Sequence, residues 1–405
     1  MNAPEPVSPF ASVELAPKDP ILGVTETFVA DKNPDKVNLG VGVYTDDNGK
    51  VPLLACVRQA EERMLAAASP RSYLPIDGIA AYDNAVLALL LGADSPIIAA
   101  KRAVTVQALG GTGGLKLGAD FWKKFGATGE AWISDPSWEN HRALFEYAGF
   151  AVKNYPYYDA ATHGVNFAGM SAALDGLAPG TLVVLHACCH NPTGVDLDEA
   201  QWGRVIEIVR ARRLMPFLDF AYQGFGDGID ADAAVIRRFA AAGLPMLISS
   251  SFSKSFSLYG ERIGALTIVT QSAEEATRVL SQMKRVIRTN YSNPPTHGGQ
   301  AVAMTLTTPE LRKLWEEELA QMRVRIKAMR QALVDKLKER IPNRDFDFIL
   351  KQRGMFSYSG LTKEQVLKLR SEHSIYAIDT GRICVAALNS KNVGRVADAI
   401  AKVIA

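Results

Sequence analysis

Three features of this chain predict an α/β fold: a mainly parallel central sheet with a smaller α+β unit beside it. Short apolar runs alternate with longer mixed segments through the middle of the chain. The runs are continuously hydrophobic, as in strands covered on both faces. After residue 300 the alternation gives way to one long amphipathic stretch and then to shorter pieces.

Taken in order, the predicted strands are 104–109, 131–134, 181–186, 216–220, 246–249 and 264–269. The segments 115–125, 139–148, 198–213 and 230–242 have the length and mixed composition of covering helices. Trp315, Leu319, Met322, Ile326, Met329 and Leu333 recur at steps of three and four, with charges between them. That spacing predicts one long helix that links or braces two units. The tail holds short segments at 346–350, 354–359, 375–378 and 382–387, a helix near 363–372 and a last helix after Asn392. The expected division is an N-terminal segment, 1–49, joined to the smaller unit; a large unit, 50–310; and a C-terminal unit, 311–405, opened by the long helix. Ligands in such sheets gather at the carboxyl ends of the strands.

Composition narrows the function. The chain has 405 residues, enough for two domains, and 48% hydrophobic with 22% charged residues is ordinary for a soluble globular protein. A net charge of +2 gives no sequence-wide attraction to nucleic acid or anionic membranes. Two of the four cysteines, Cys188 and Cys189, are adjacent, which is a poor disulfide framework and suits a reducing cytoplasm. Residues 1–6 lack the basic and apolar regions of a signal peptide. The apolar stretch 85–100 is broken by Gly92, Asp94, Ser95 and Pro96, so no membrane span is expected.

Lys254 is the leading candidate for chemistry. It follows an apolar run and lies among Ser250, Ser251, Ser253, Ser255 and Ser257. A strand would carry it into a polar pocket, where a lysine can lose its charge and act as an amine nucleophile or Schiff-base partner. Arg262 adds a fixed positive charge for an anion. A lysine for an aldehyde and an arginine for a phosphate together suggest pyridoxal phosphate. By itself the segment also fits an ordinary surface lysine.

Asp219 ends an apolar run, where a carboxylate needs a cation such as a protonated pyridine nitrogen. Tyr222 and Asn191 could donate hydrogen bonds to a ring oxygen. A helix-capping aspartate and a core tyrosine are the plain alternatives. Residues 110–114, Gly-Gly-Thr-Gly-Gly, open a helix whose free amides suit a phosphate. Trp138 could stack on a flat ring or simply pack. Arg382 starts an apolar strand, and its planar fork matches a substrate carboxylate or a structural ion pair. His186 and His190 flank a strand end, where four extended residues span roughly 13 Å. That separation argues against a shared metal ion, and no metal is expected.

Together these segments resemble the aspartate and aromatic-amino-acid aminotransferases, fold type I enzymes that use pyridoxal phosphate. The resemblance runs from residues 19–22 to Gly381 and Arg382. It rests on Asn38-Leu39-Gly40-Val41-Gly42-Val43-Tyr44, Cys189-His190-Asn191-Pro192-Thr193-Gly194, Asp219-Phe220-Ala221-Tyr222-Gln223-Gly224, the Lys254 segment and Arg288-Thr289-Asn290-Tyr291-Ser292-Asn293-Pro294-Pro295. It implies that Lys254 forms the Schiff base and shuttles a proton, Asp219 pairs with the pyridine nitrogen with His141 behind it, and Tyr222 and Asn191 bind the ring oxygen. It implies that Trp138 stacks on the ring, that Gly111, Thr112, Ser251 and Arg262 hold the phosphate with Ser253 also at the cofactor, and that Arg382, with Gly40 near it, takes the α-carboxylate.

Tyr73 and Arg288 match residues that reach a neighbouring subunit, so the resemblance implies a homodimer with shared sites. It implies ping-pong transamination between aspartate, glutamate, tyrosine or phenylalanine and 2-oxoglutarate or another keto acid. A dedicated aspartate enzyme is the alternative, followed by a lyase of the same fold. One departure stands out: Asp379 lies three residues before Arg382, where it either competes for that arginine or points into solvent.

Overall fold

The computed structural model describes residues 8–16 and 22–404. The stretch 1–6 and the start of the motif series, 19–21, lie outside the described residues. A seven-stranded sheet forms the centre, in the order Ala103–Leu109, Ile263–Val269, Met246–Ser251, Met215–Phe220, Leu182–His186, Glu130–Asp135, Ala151–Pro156. Ile263–Val269 runs antiparallel to both its neighbours, and the other pairs are parallel.

Six of these strands coincide with the apolar runs. The seventh, Ala151–Pro156, does not announce itself, because it lies at the sheet edge and exposes Ala151, Lys153 and Asn154. An edge strand needs no continuous apolar run. Met246–Ser251 runs two residues beyond the predicted end. Its serines are buried, and Ser249 satisfies its hydroxyl by donating to the Gly111 carbonyl at 2.8 Å.

The glycine cluster is the first turn of the helix Gly110–Phe125, which lies flat on the sheet. A Cβ on Gly114 would stand 2.6 Å from Ser249 Oγ, and one on Gly118 would stand 2.4 Å from Phe217 Cζ. The small residues therefore set the close helix-to-sheet contact that brings the helix start to the strand ends.

The long helix is Pro309–Arg340, and it buries Trp315, Leu319, Met322, Ile326 and Leu333. Trp315 braces the site directly. Its Nε1–H donates to the Ser255 carbonyl at 2.8 Å, and its ring stacks on Phe256 at 4.7 Å. Beyond the helix, residues 347–351 form a short helix, and Phe356–Tyr358 pairs antiparallel with Arg382–Cys384. Val37–Asn38 pairs in parallel with Ile375–Tyr376, tying the N-terminal segment to the C-terminal part of the chain.

Candidate active site

The carboxyl ends of Leu182–His186, Met215–Phe220 and Met246–Ser251 open into a cavity of about 470 Å³. Its far wall comes from Val41, Gly42, Val43, Phe356 and Arg382. Two stretches far apart in sequence thus enclose the strand ends.

Lys254 stands in the turn after Met246–Ser251, with its Nζ 4.8 Å from the centre of the Tyr222 ring. Burial lowers its pKa to about 8 against the pull of Asp219, and Arg262 pushes the same way as burial. Asp219 Oδ2 lies 2.9 Å from His141 Nε2, and His141 Nδ1 lies 2.9 Å from the Ser137 hydroxyl. Burial raises the Asp219 pKa. The His141 hydrogen bond and the surrounding charges outweigh it, so the carboxyl titrates below its ordinary range and is ionised at neutral pH. Asn191 Nδ2 approaches the Tyr222 hydroxyl at 3.5 Å. A lysine amine, a carboxylate and a pair of polar groups thus face one space, with Trp138 on its wall.

The opposite end of the cavity is cationic and rich in donors. Leu109 precedes the helix Gly110–Phe125 and offers no side-chain cap, so the first-turn amides lack a capping acceptor. Gly111, Thr112, Ser251, Ser253 and Arg262 line this end. Arg262 adopts the left-handed region, φ 54°, and donates to the Tyr259 carbonyl at 2.9 Å and the Ser253 hydroxyl at 3.4 Å. Such backbone strain in a non-glycine residue costs on the order of 1 kcal/mol, and it collects at ligand clamps. Gly110, at φ 70°, leaves room for the guanidinium, since a Cβ there would stand 2.5 Å from Arg262 Nη2.

Among the described residues, the buried Arg382 has no carboxylate partner. It donates to Asn191 Oδ1 at 3.0 Å and to the Gly40 carbonyl at 2.7 Å, while its Nε finds no acceptor. The Phe356 ring lies 4.3 Å from the guanidinium carbon. These contacts remove the structural ion-pair alternative and leave a donor set open for an anion. Gly40 meets Arg382 through its carbonyl, whereas the glycine on the cavity wall is Gly42, where a Cβ would stand 2.6 Å from Phe356 Cζ. Asp379 does not compete for Arg382. It pairs with Arg370 at 2.7 Å.

The distance argument about His186 and His190 is corrected by the structure. The chain turns back after His186, with Cys189 in the left-handed region at φ 53°, and the two rings stand 4.3 Å apart. Three of their four nitrogens are engaged otherwise. His186 Nδ1 accepts the Asn191 amide at 3.2 Å, and His190 contacts Thr193 at 2.8 Å and Ser134 at 3.0 Å. His141, His186 and Asp219 do place one nitrogen or oxygen each within 4.8 Å of one another. His141 Nε2 and Asp219 Oδ2 already share a hydrogen bond. Burial, reinforced by His141, lowers the His186 pKa to about 3 and keeps it neutral.

Tyr73 and Arg288 are not on this cavity wall. Tyr73 is 94% exposed, and Arg288 is exposed with its Nη1 donating to the Ser292 hydroxyl. The two segments adjoin on the surface, where Asn293 Nδ2 donates to the Leu74 carbonyl at 3.3 Å. His186, weighed in the sequence only as a metal ligand, also lines the cavity, as do Phe356, Tyr259 and Gly42, which had not stood out there. Only the glycine had a visible signal, inside the Asn38–Tyr44 motif.

The cavity fits a flat, anionic aromatic group. An acid faces one side, a lysine stands in reach, uncapped amides with Arg262 sit at the far end, and the buried Nε of Arg382 lacks a partner. Residues 34–400 match the family described as aminotransferase class I and II. The chain is 59% identical to an aspartate aminotransferase of Pseudomonas aeruginosa over 398 residues, covering 98% of this chain and 100% of that one. It is 51% identical to an aromatic-amino-acid aminotransferase of Escherichia coli, again covering 98% and 100%. The structure matches that of an aromatic-amino-acid aminotransferase from Burkholderia pseudomallei covalently bound to pyridoxal phosphate, with a TM-score of 0.96, 66% identity and coverage of 98% and 100%.

Proposed function

The chain belongs to the class I and II aminotransferases, and on that premise we propose that it exchanges amino groups between aspartate, glutamate, tyrosine or phenylalanine and 2-oxoglutarate or another keto acid. The reaction is a pyridoxal-phosphate-dependent transamination. When bound, the cofactor supplies an aldehyde for an amine to condense with and a ring that accepts the electron pair of the breaking Cα–H bond.

The residues divide the remaining work. The Lys254 amine holds the aldehyde carbon and, once released, takes the proton from the substrate's α-carbon. Asp219, fixed by His141, holds a proton on the pyridine nitrogen through its negative charge. Tyr222 and Asn191 hydrogen-bond the ring oxygen, and Trp138 covers the ring face. Gly111, Thr112, Ser251, Ser253 and Arg262 hold the phosphate, while Arg382 binds the α-carboxylate. Donor and acceptor use one cavity in turn, which gives ping-pong kinetics.

The carrying observation is Lys254. It is a lysine with its pKa lowered to about 8, in a cavity shared with an ionised aspartate and an unpaired arginine donor. Breadth of substrate is supported by the similarity to relatives named for both aspartate and aromatic amino acids. Arg288, which lies outside this cavity and would reach a substrate's distal carboxylate only across a homodimer, supports the aspartate and glutamate part of that range. The buried free cysteines suit a cytoplasmic location.

The deciding experiment measures kcat/KM for aspartate and for phenylalanine, each with 2-oxoglutarate. Comparable values support the dual reading. A preference for aspartate by several orders of magnitude makes it a dedicated aspartate enzyme. Turnover of neither, or products without a new amino acid, sinks the proposal.

A further inference from the structure

Arg330 lies on the long helix and is 3% exposed, yet it is not on the cavity wall. Among the described residues its hydrogen-bond partners are backbone carbonyls, with no carboxylate among them. Nη2 donates to Gly354 at 2.7 Å and to Phe356 at 3.2 Å, while Nη1 donates to Phe356 at 3.3 Å and to Ile349 at 3.4 Å. Burying a guanidinium without a counter-charge is costly, so three carbonyls must be held in place to offset it.

Those carbonyls belong to one segment, and that segment touches both sides of Arg382. Phe356 begins the strand Phe356–Tyr358, whose Tyr358 is in register with Arg382. The Phe356 ring lies 4.3 Å from the Arg382 guanidinium carbon and 5.9 Å, edge-on, from the Tyr222 ring. On the other side, the Arg353 amide donates to the Gly194 carbonyl at 2.6 Å, and a Cβ on Gly354 would stand 2.5 Å from Cys189 Cβ. Residues 189–194 carry Asn191, whose Oδ1 accepts from Arg382 at 3.0 Å. Arg330 thus fixes the ring beneath Arg382, the strand beside it and the loop that orients it.

We propose that Arg330 is a positioning residue for the α-carboxylate site, acting through the backbone of residues 349–356. The proposal rests on Arg382 being the carboxylate-binding group. It separates Arg330 from a purely structural role, because a loosened Arg382 harms only substrates that carry an α-carboxylate.

The test uses cofactor-loaded Arg330→Met, Arg330→Lys and Arg382→Ala. Single-turnover rates are followed by cofactor absorbance with aspartate and with propylamine, which has no carboxylate. For Arg330→Met, the second-order rate constant with aspartate should fall on the order of 10- to 100-fold, mainly through weaker binding. The rate with propylamine should stay within about twofold of the parent. Arg330→Lys, which keeps the charge but loses the planar fork, should recover part of the aspartate rate. A parallel loss with both amines, or no loss with either, overturns the proposal. If Arg382→Ala also leaves the aspartate-to-propylamine ratio unchanged, it is the Arg382 reading that fails. Should Arg330→Met not fold, Arg330→Lys carries the expectation by itself: a loss confined to aspartate supports the relay, and equal loss or none overturns it.

Discussion

At Lys254, burial and charge oppose each other, and burial wins by lowering the amine's pKa to about 8. The neutral, nucleophilic form therefore dominates above that pH and is lost as protons bind below it. Recapture of pyridoxal phosphate by the apoprotein should accelerate as pH rises from roughly 6 and level off beyond about 8. A rate that is flat over this range would contradict the assignment. Lys254→Ala should abolish the long-wavelength absorbance of the bound cofactor and lower turnover on the order of 10⁴-fold. Normal transamination by that variant would remove Lys254 from the mechanism. Asp219 is depressed in pKa, so its contribution to the site is present at neutral pH and fades only as pH falls through the acid range. Asp219→Asn keeps the shape and removes the charge. It should retain the cofactor but lose on the order of 10³-fold in kcat, and an unchanged kcat would refute its role.

Among elements, the start of the helix Gly110–Phe125 carries the most specific packing. Gly110 combines φ 70° with a contact that leaves 2.5 Å between an added Cβ and Arg262 Nη2. Gly110→Ala should lower stability by about 1–3 kcal/mol through backbone strain and displace Arg262. Cofactor affinity should weaken on the order of tenfold or more, read by fluorescence titration beside a melting curve. Unchanged affinity would separate Arg262 from the phosphate site. This helix and the strands it covers were legible because continuous apolar runs mark doubly buried strands. The edge strand Ala151–Pro156 was hidden because its exposed residues carry no such pattern.

For the molecule as a whole, the proposed homodimer predicts that a second copy completes each site. Tyr73 and Arg288 lie outside this cavity on adjoining surface segments, so under the proposal above they would serve the site of a second copy. Arg288→Ala should damage aspartate turnover far more than phenylalanine turnover, and equal losses would argue against a distal-carboxylate role. Mixing Lys254→Ala with Arg288→Ala after dissociation should regenerate roughly a quarter of the sites, because each hybrid dimer rebuilds one native site. No recovery of aspartate turnover in a mixture that forms hybrids would place Arg288 within its own subunit's site.

The sequence by itself determined six of the seven central strands, the long helix and the polar residues at strand ends, since hydrophobic period and turn residues are local signals. It also placed Lys254, Asp219, Asn191, Tyr222, Arg262 and Arg382 as candidates, because a charged or polar group beside an apolar run demands a partner. Only the tertiary structure decided which partner. Asp379 went to Arg370, Arg382 pairs with no acid among the described residues, and His186 met His190 through a turn that extended-chain geometry does not foresee. Phe356 and Arg330 gave no local sign, because their roles lie in contacts between segments far apart along the chain. Such contacts arise when the long helix and the C-terminal strands close over the sheet, and no spacing along the sequence encodes them.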